Sequence, residues 1–181
     1  MRRWNGWGDE SVTYPVPAGA RDFLEAMLGP GMTPRDATLT EVVSRVPPSR
    51  LPPHALVSTD PEQRVRHALG QSLPDWSAAR SGRITDFPDG VAFPSTREEV
   101  RELLRYAEAA GARLIPYGGG TSVVGHLAVL PGADPVLSVD LGRMSQLVDF
   151  DGRSHLATFG AGVRGPDLEA CLRARGFTLG H

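Results

Sequence analysis

Lysine is absent from this sequence, and all 19 basic side chains belong to arginine. This absence excludes three chemistries that need a lysine amine: a Walker-type phosphate loop, a pyridoxal aldimine and a Ser-Lys catalytic pair. Cysteine occurs once, as Cys171, so neither an internal disulfide nor an all-cysteine zinc site can form. We expect Cys171 to be a small, inert core residue, since free cysteine is commonly buried.

Strong net charge and long apolar runs are also missing. The formal net charge is −2, so the chain has no excess of positive charge to attract nucleic acid, and no nucleic-acid partner is expected. No apolar run has the length of a transmembrane helix, and the first residues lack the apolar core of a signal peptide. With 181 residues, 40% of them hydrophobic, the sequence predicts a globular, cytoplasmic protein without a transmembrane segment.

Two regions differ in pattern, residues 1–85 and residues 86–181. In the first, proline pairs divide the chain into short segments, because a residue before proline is disfavoured in a helix. The predicted helices of this N-terminal extension cover residues 20–28, 39–46, 61–69 and 75–80. In the second region, strand-like runs alternate with helical patterns, which is typical of an α+β fold.

The second region is predicted to contain two helices and several strands. Ser95 and Glu98 have capping-box spacing and open a helix that stops at Gly111. Its apolar face carries Val100, Leu103, Leu104 and Ala107. A second helix over residues 166–175 buries Leu168 and Leu172. The predicted strands cover residues 91–93, 113–117, 136–141 and 155–159, with residues 147–150 paired beside one of them. The chain then ends inside an apparent extended segment that begins at Gly176, which predicts a truncated product.

The informative motif is a glycine triplet that directly follows a predicted strand, in the sequence Ile115-Pro-Tyr-Gly-Gly-Gly-Thr-Ser-Val-Val-Gly125. Successive glycines let a ligand approach the backbone and let consecutive N–H groups point the same way. Thr121 and Ser122 add hydroxyl donors and could cap a following helical turn, whose N-terminus would favour an anion. The pattern suits a diphosphate held without any cationic side chain.

The triplet also fits one structural interpretation and departs from two known nucleotide-binding patterns. A flexible turn between two strands accounts equally well for the triplet taken alone. The Walker pattern requires a lysine, and the Rossmann pattern requires a glycine three residues after Gly120, where Val123 stands.

Together with four other segments of the chain, the motif resembles a known protein family. Five segments occur in order, residues 3–8, 71–76, 87–94, 115–125 and 176–181. Together they resemble the FAD-linked oxidases of the PCMH type, the vanillyl-alcohol oxidase superfamily, and within it the alkyldihydroxyacetonephosphate synthase-like branch. The resemblance implies a helical N-terminal extension over residues 1–85, followed over residues 86–181 by the first part of a PCMH-type FAD-binding domain. It also implies that the FAD diphosphate is wrapped by the backbone of Pro116, Tyr117, Gly118, Gly119, Gly120, Thr121 and Ser122.

The resemblance carries further expectations about chemistry. The resemblance implies non-covalent FAD, because family members with covalent FAD often carry a histidine directly after a glycine pair in this loop, where Gly120 or Thr121 stands here. Members are several times longer, and their substrate pocket and catalytic residues lie beyond the matched segments, so no catalytic residue is assigned in this chain. The parent would be a flavin-dependent oxidoreductase or an alkyldihydroxyacetonephosphate synthase-like enzyme acting on a small molecule or lipid. Homodimerisation stays open.

Two alternatives remain beside this interpretation. The first is a 2-hydroxyacid dehydrogenase of the lactate or glycolate type, built on the same FAD domain. The second is a non-catalytic fragment that binds FAD weakly or not at all, since no general base stands in a recognisable pocket.

The remaining polar and aromatic candidates favour structural roles. The five histidines show no metal-ligand spacing, so no metal site is predicted. His126 lies just past the glycine triplet, and we interpret it as a surface residue rather than a flavin contact. Trp4 and Trp7 could form a ligand-stacking pair, but we expect both to anchor the N-terminal arm on the body.

Overall fold

The computed structural model describes residues 2–32 and 35–180. His181, which ends the fifth segment named above, lies outside these residues. Within them the chain forms six α-helices, a four-stranded sheet and a two-stranded sheet. The predicted α+β class is therefore confirmed.

The first region consists of short helices, as its proline pattern predicts. Its elements in chain order are α1 (Ala18–Leu28), α2 (Leu39–Val43), β1 (Val57–Ser58), α3 (Pro61–Arg66) and α4 (Leu73–Arg80). Helices α2 and α3 end three residues earlier than predicted, because the chain after each of them tightens into turns of the i to i+3 type. Helix α4 begins two residues earlier, because Ser72 and Asp75 form a reciprocal capping box.

A hydrophobic cluster holds this region together. It consists of Val42, Val65, Ala68, Ala79, Ile84 and Phe87. The half-buried Trp4 packs against it, so the expectation that Trp4 anchors the N-terminal arm is confirmed. Helix α1, in contrast, has no buried residue.

The second region supplies the three parallel strands of the larger sheet, β2 (Gly90–Ala92), β3 (Arg113–Tyr117) and β4 (Val136–Asp140). The strand order is β1-β2-β4-β3, with β2 and β3 each parallel to β4 and β1 antiparallel to β2. A second cluster packs this sheet against helix α5 (Arg97–Ala110), and its buried members are Leu51, Ala92, Leu103, Leu137 and Val139.

The start of α5 corrects one expectation. The predicted capping pair of Ser95 and Glu98 is wrong by one residue, because Thr96 is the N-cap and accepts from the Glu99 amide at 3.1 Å. The Glu99 carboxylate in turn accepts from the Ser95 amide at 2.6 Å. Gly111 ends the helix at φ +60°, as predicted, since that left-handed conformation favours glycine.

The apolar face of α5 is only partly covered. Leu103 and Ala107 are buried, whereas Leu104, predicted on the same face, is half exposed.

The last part of the chain forms a hairpin and a helix. Strand β5 (Leu147–Asp151) pairs with β6 (Leu156–Phe159), one of the two partners that the prediction allowed, and the pairing is antiparallel. Helix α6 (Gly165–Arg173) follows. Leu172 of α6 is buried, whereas Leu168 and Cys171 are only half-buried, so Cys171 is not the fully enclosed core residue expected. The stretch after Gly176 forms no strand; the Glu169 carboxylate holds it through the Thr178 hydroxyl and the Leu179 amide.

No helix among residues 2–32 and 35–180 is both long enough and apolar enough to cross a membrane. The same residues contain no group of three or more histidine, cysteine or acidic side chains arranged to hold a metal ion.

Candidate functional site

The glycine triplet leaves the sheet at the carboxyl end of β3. Strand β3 ends at Tyr117, which pairs in register with Asp140 at the end of the parallel strand β4. In open sheets of parallel strands, ligands bind beyond the carboxyl ends of the strands. The triplet therefore stands where this architecture places a binding site.

The main-chain amides of this loop are free of internal partners. Within the described part of the chain, none of the N–H groups of residues 118–125 donates a hydrogen bond to another residue. Most of residues 118–125 are exposed, so these eight successive amides are accessible to a ligand or to water, which must supply the acceptors that the chain does not. The loop carbonyls are used differently, because the Gly119 and Ser122 oxygens accept from Arg2 and from the Gln71 amide at 2.8 and 2.6 Å.

The three glycines of the triplet are required for two different reasons. A Cβ at Gly118 would meet no atom within 4 Å, and one at Gly119 would meet only the Thr121 methyl group at 3.5 Å. At Gly120, where φ is +69°, a Cβ would lie 2.1 Å from both the Tyr117 hydroxyl and Arg2. The fold thus requires a glycine at position 120, whereas positions 118 and 119 keep open space beside the backbone.

Ser122 carries an unsatisfied polar atom. Its Oγ is buried and has no hydrogen-bond partner among the described residues. Such an atom costs free energy unless a ligand or water supplies a partner, which makes the hydroxyl a candidate ligand contact. Thr121 beside it is exposed.

No helix follows the triplet, and this corrects the sequence analysis. Residues 121–135 contain no α-helix, so Thr121 and Ser122 cap nothing and no helix N-terminus contributes to the site. The expected dipole contribution is wrong, and the free amides themselves are what remains to attract an anion.

Buried contacts of the Tyr117 side chain hold the start of the loop. Its ring is buried against the imidazole of His67, with ring centroids 4.4 Å apart, and its hydroxyl donates to the Arg66 carbonyl at 3.3 Å. Burial raises the pKa of Tyr117, so the hydroxyl stays protonated. Pro116 precedes it as an exposed residue of the edge strand, where its missing N–H leaves no unpaired group.

A polar pair, His67 and Asp140, ties the end of α3 to the end of β4. His67 Nδ1 lies 2.7 Å from the Gln63 carbonyl. His67 Nε2 lies 3.0 Å from the Asp140 carboxylate. Burial alone would raise the pKa of Asp140, but hydrogen bonds from His67 and from the Gly142 amide outweigh it and keep that pKa below its ordinary range.

The N-terminal residues reach the loop, which the sequence did not indicate. Arg2 donates from Nη1 to the Gly119 carbonyl at 2.8 Å and from Nη2 to the Arg66 carbonyl at 2.8 Å. Its guanidinium also lies over the Tyr117 ring, 5.3 Å from the centroid. The expectation of a loop without a nearby cation is therefore wrong. No local pattern signals a contact between residues 117 positions apart.

A cavity of about 250 Å³ lies between the N-terminal arm and the loop. It is lined by Arg2, Gly6, Trp7, Gly8, Gln71, Gly119 and Thr121. Of the predicted site residues, Gly119 and Thr121 thus share one cavity. Trp7 is 61% exposed and lines it, so the expectation that Trp7 is a buried anchor is wrong. His126 is exposed, as interpreted from the sequence.

Comparison with known families decides which ligand this loop serves. A family model described as "FAD binding domain" matches residues 88–181, which include the whole glycine loop. The chain belongs to the FAD-binding domain family. FAD is accordingly the cofactor, and the predicted resemblance to PCMH-type, alkyldihydroxyacetonephosphate synthase-like flavoproteins is confirmed.

Relatives of this FAD-binding domain include synthases and dehydrogenases. Alkyldihydroxyacetonephosphate synthases of Dictyostelium discoideum and Trypanosoma brucei brucei are 28% and 26% identical, each over 99% of this chain and 35% of their own length. D-lactate dehydrogenase [cytochrome] 1 of Saccharomyces cerevisiae is 33% identical over 51% of this chain and 16% of its own. The chain thus spans about a third of the length of the synthases it matches.

A solved structure extends the likeness to the fold. An alkyldihydroxyacetonephosphate synthase superposes with a TM-score of 0.84 and 26% identity, over 99% of this chain and 40% of that one. The match includes the N-terminal region as well as the residues of the family model, so the arm that contacts the glycine loop belongs to the shared fold.

The residues present at the loop fit a dinucleotide cofactor. Open space beside Gly118 and Gly119 admits a ligand to the backbone, and the unpartnered Ser122 Oγ offers a hydroxyl contact. The loop donors are all uncharged, and one arginine stands beside them.

Proposed function

We propose that this chain binds FAD non-covalently and that residues 116–122 hold the FAD diphosphate. One observation carries the proposal: among the described residues, the amides of residues 118–122 have no internal acceptor. Diphosphate oxygens are strong acceptors, and successive free backbone N–H groups suit them. A flexible turn that binds no ligand would not account for the open space beside Gly118 and Gly119.

The seven proposed positions contribute in different ways. Pro116 and Tyr117 end β3 and direct the chain away from the sheet, with Tyr117 held by the His67 ring. Gly118 and Gly119 leave room for the diphosphate, and Gly120 makes the left-handed turn that lets the loop return. Thr121 and Ser122 add hydroxyl donors beside the amides.

Arg2 supplies the positive charge beside this loop that can balance the negative charge of the diphosphate. The diphosphate is anionic and the sequence has no lysine, so arginine is the cation available. Arg2 uses two N–H groups on the Gly119 and Arg66 carbonyls, and a guanidinium has five in all, so further donors remain for a phosphate oxygen. Arg2 thus both shapes the loop and offers a positive charge beside it.

Non-covalent attachment is supported by the side chains at the loop. Gly120 and Thr121 offer no imidazole or thiol, and the Tyr117 hydroxyl is buried and bonded to the Arg66 carbonyl. Acid precipitation of the FAD-loaded protein is expected to leave flavin in the supernatant. Colour retained in the pellet would contradict non-covalent binding.

The activity we propose belongs to the complete enzyme. When bound, a flavin supplies reversible electron transfer at its isoalloxazine ring. We propose an alkyldihydroxyacetonephosphate synthase-like enzyme or flavin-dependent oxidoreductase acting on a small molecule or lipid, with residues 1–85 as a helical extension and residues 86–181 as part of the FAD-binding domain. Similarity to the synthases over 99% of this chain supports the synthase branch.

A 2-hydroxyacid dehydrogenase is the second candidate. The yeast D-lactate dehydrogenase is more similar per residue, 33% over 94 residues, but this similarity covers only about half of the chain. Because the first region is matched by the synthases, we favour the synthase branch. Flavin reduction by D-lactate in the complete enzyme would reverse this preference.

Titration with FAD tests the proposal. We expect the 181-residue chain to bind FAD and Gly119→Val to weaken binding at least 10- to 100-fold, because a side chain there displaces the diphosphate from amides worth about 1.5–3 kcal/mol each. The matched control is Gly31→Val, where the new side chain also meets open space and φ is not left-handed. Equal FAD affinity in wild type and Gly119→Val would remove the loop from the site.

A further inference from the structure

The N-terminal arm, residues 2–9, is a closed turn rather than a loose end. Arg2 and Asp9 form an antiparallel bridge, and the Arg3 amide donates to the Gly8 carbonyl at 2.9 Å. Gly8 takes φ +87°, which lets the chain reverse within a few residues. The Arg3 guanidinium also donates to the Val12 carbonyl at 2.7 Å. These bonds hold the two tryptophans of the arm in fixed positions.

The arm is also fastened to the glycine loop. Arg2 reaches the Gly119 carbonyl, and Arg66 donates from Nη1 to the Arg2 carbonyl at 3.0 Å. Trp4 packs against the first hydrophobic cluster. The position of Trp7 relative to Gly119 is therefore set by hydrogen bonds and packing on both sides of the cavity.

Trp7 differs from Trp4 in what it contacts. Its indole is 61% exposed although the arm around it is held tightly, and it lines the cavity shared with Gly119 and Thr121. Exposing a large aromatic ring gains nothing for folding, because burial of such rings is what stabilises a core. The fold accounts for Trp4 but leaves Trp7 without a packing role.

The rest of the cavity wall offers hydrogen-bond donors. Gln71 accepts from Trp76 Nε1 at 2.6 Å through Oε1, so its Nε2 group remains available, with no acceptor among the described residues. Arg2 and Thr121 line the same space. A flat aromatic face beside such donors suits a planar heteroaromatic ring that carries nitrogen and oxygen acceptors.

We propose that Trp7 stacks on a planar ring of the dinucleotide whose diphosphate lies on the glycine loop, so that the N-terminal arm forms the second wall of the cofactor site. This inference rests on the proposed function. The shared chemistry is a nucleotide heteroaromatic ring, adenine or isoalloxazine, joined through phosphate to the loop.

The test compares three ligands and four proteins. ADP, FMN and FAD are titrated against wild type, Trp7→Ala, Trp7→Phe and the control Tyr14→Ala, which removes an exposed aromatic ring of the same N-terminal segment that does not line this cavity. Affinity is measured by calorimetry, and the share of the tryptophan quenching that is lost in Trp7→Phe reports the contribution of Trp7 among the three tryptophans. Urea unfolding of each variant checks that the fold is intact.

We expect Trp7→Ala to weaken FAD binding roughly 5- to 150-fold, the range that alanine substitution of a base-stacking aromatic produces. Trp7→Phe should recover most of the affinity, and Tyr14→Ala should bind as wild type does. A parallel loss with ADP identifies the ring as adenine, whereas a loss with FMN but not with ADP identifies it as isoalloxazine. Either result supports the inference.

Two results would overturn it. If Trp7→Ala binds FAD as tightly as wild type while Gly119→Val does not, the loop holds the cofactor but Trp7 takes no part. If wild type and Gly119→Val bind FAD equally, or wild type binds none, the proposed function itself fails, and this inference fails with it.

Discussion

The two ends of the parallel sheet are built in opposite ways. At the amino end, the carboxylate of Asp89 accepts four hydrogen bonds. Three come from Arg50: from Nε at 2.8 Å, from Nη2 at 2.7 Å and from its main-chain N–H at 3.1 Å. The fourth comes from the Val136 amide at 2.8 Å. At the carboxyl end, the loop after β3 carries free amides and an unpartnered serine hydroxyl. Asp89 is thus saturated with internal partners, whereas the donors of the loop after β3 are not.

The difference separates residues that maintain the fold from residues that await a ligand. Burial alone would raise the pKa of Asp89, but the hydrogen bonds from Arg50 and from the Val136 amide keep it below its ordinary value of 3.8, so the carboxylate stays ionised. Arg50 also donates to the carbonyls of Gly132, Ala133 and Asp134, which fastens the chain before β4. Asp89 and the chain just before β4 are thus held by internal hydrogen bonds.

Removing the carboxylate of Asp89 should have the largest effect on stability. Asp89→Ala removes the acceptor of a buried amide and of Arg50, and we expect a loss of about 3 kcal/mol in the free energy of unfolding. Urea unfolding followed by circular dichroism measures it. The control is Asp134→Ala, an exposed carboxylate 3.9 Å from Arg113, for which we expect a change of less than about 0.5 kcal/mol. Equal losses in both variants would refute the comparison at this end.

The loop itself contains one position that serves the fold. Gly120→Ala should lower the free energy of unfolding by about 2–3 kcal/mol, because it combines a left-handed φ, worth about 1–2 kcal/mol, with an overlap against Tyr117 and Arg2. Gly111→Ala is the matched control, since Gly111 has φ +60° but open space around it. If the two variants lose the same stability, the packing argument at Gly120 is wrong.

The smallest effect is expected for Ser122→Ala, which should leave stability unchanged or higher but lower the affinity for FAD. Ser122→Ala removes a buried hydroxyl without a partner, so the FAD-free chain should keep its stability or gain up to about 1 kcal/mol. FAD affinity should fall about 5- to 10-fold, because one hydrogen bond to an anion is lost. Ser138→Ala in β4 is the control, since Ser138 Oγ is also buried and unpartnered but lies in the sheet. Unchanged FAD affinity in Ser122→Ala would exclude the hydroxyl from the site.

Sequence reasoning succeeded where the determinants are local. The parallel strands β2, β3 and β4 lie within one residue of the predicted ranges, because short apolar runs bounded by glycine and proline define them. The stop at Gly111 and the presence of all six predicted helices follow from the same kind of signal. The error at Ser95 has a local cause too: two hydroxyl residues stand next to two glutamates, and spacing alone does not choose between the registers.

The remaining features depend on contacts between distant parts of the chain. Arg2 meets Gly119 across 117 positions, and only packing of the first cluster brings the arm there. Trp4 and Trp7 look alike in sequence, yet one is half-buried and the other lines a cavity. The absence of a helix after the triplet likewise could not be inferred, because Thr121 and Ser122 are suitable caps wherever a helix does follow.

The most direct test of the loop is the response of its own amides. In a ¹⁵N-labelled chain titrated with ADP, the account predicts that the amide resonances of residues 118–122 shift downfield, and that adenosine, which lacks the diphosphate, leaves them in place. If ADP binds while those amides stay unshifted, or if adenosine shifts them equally, the free backbone donors do not hold the diphosphate and the account is contradicted.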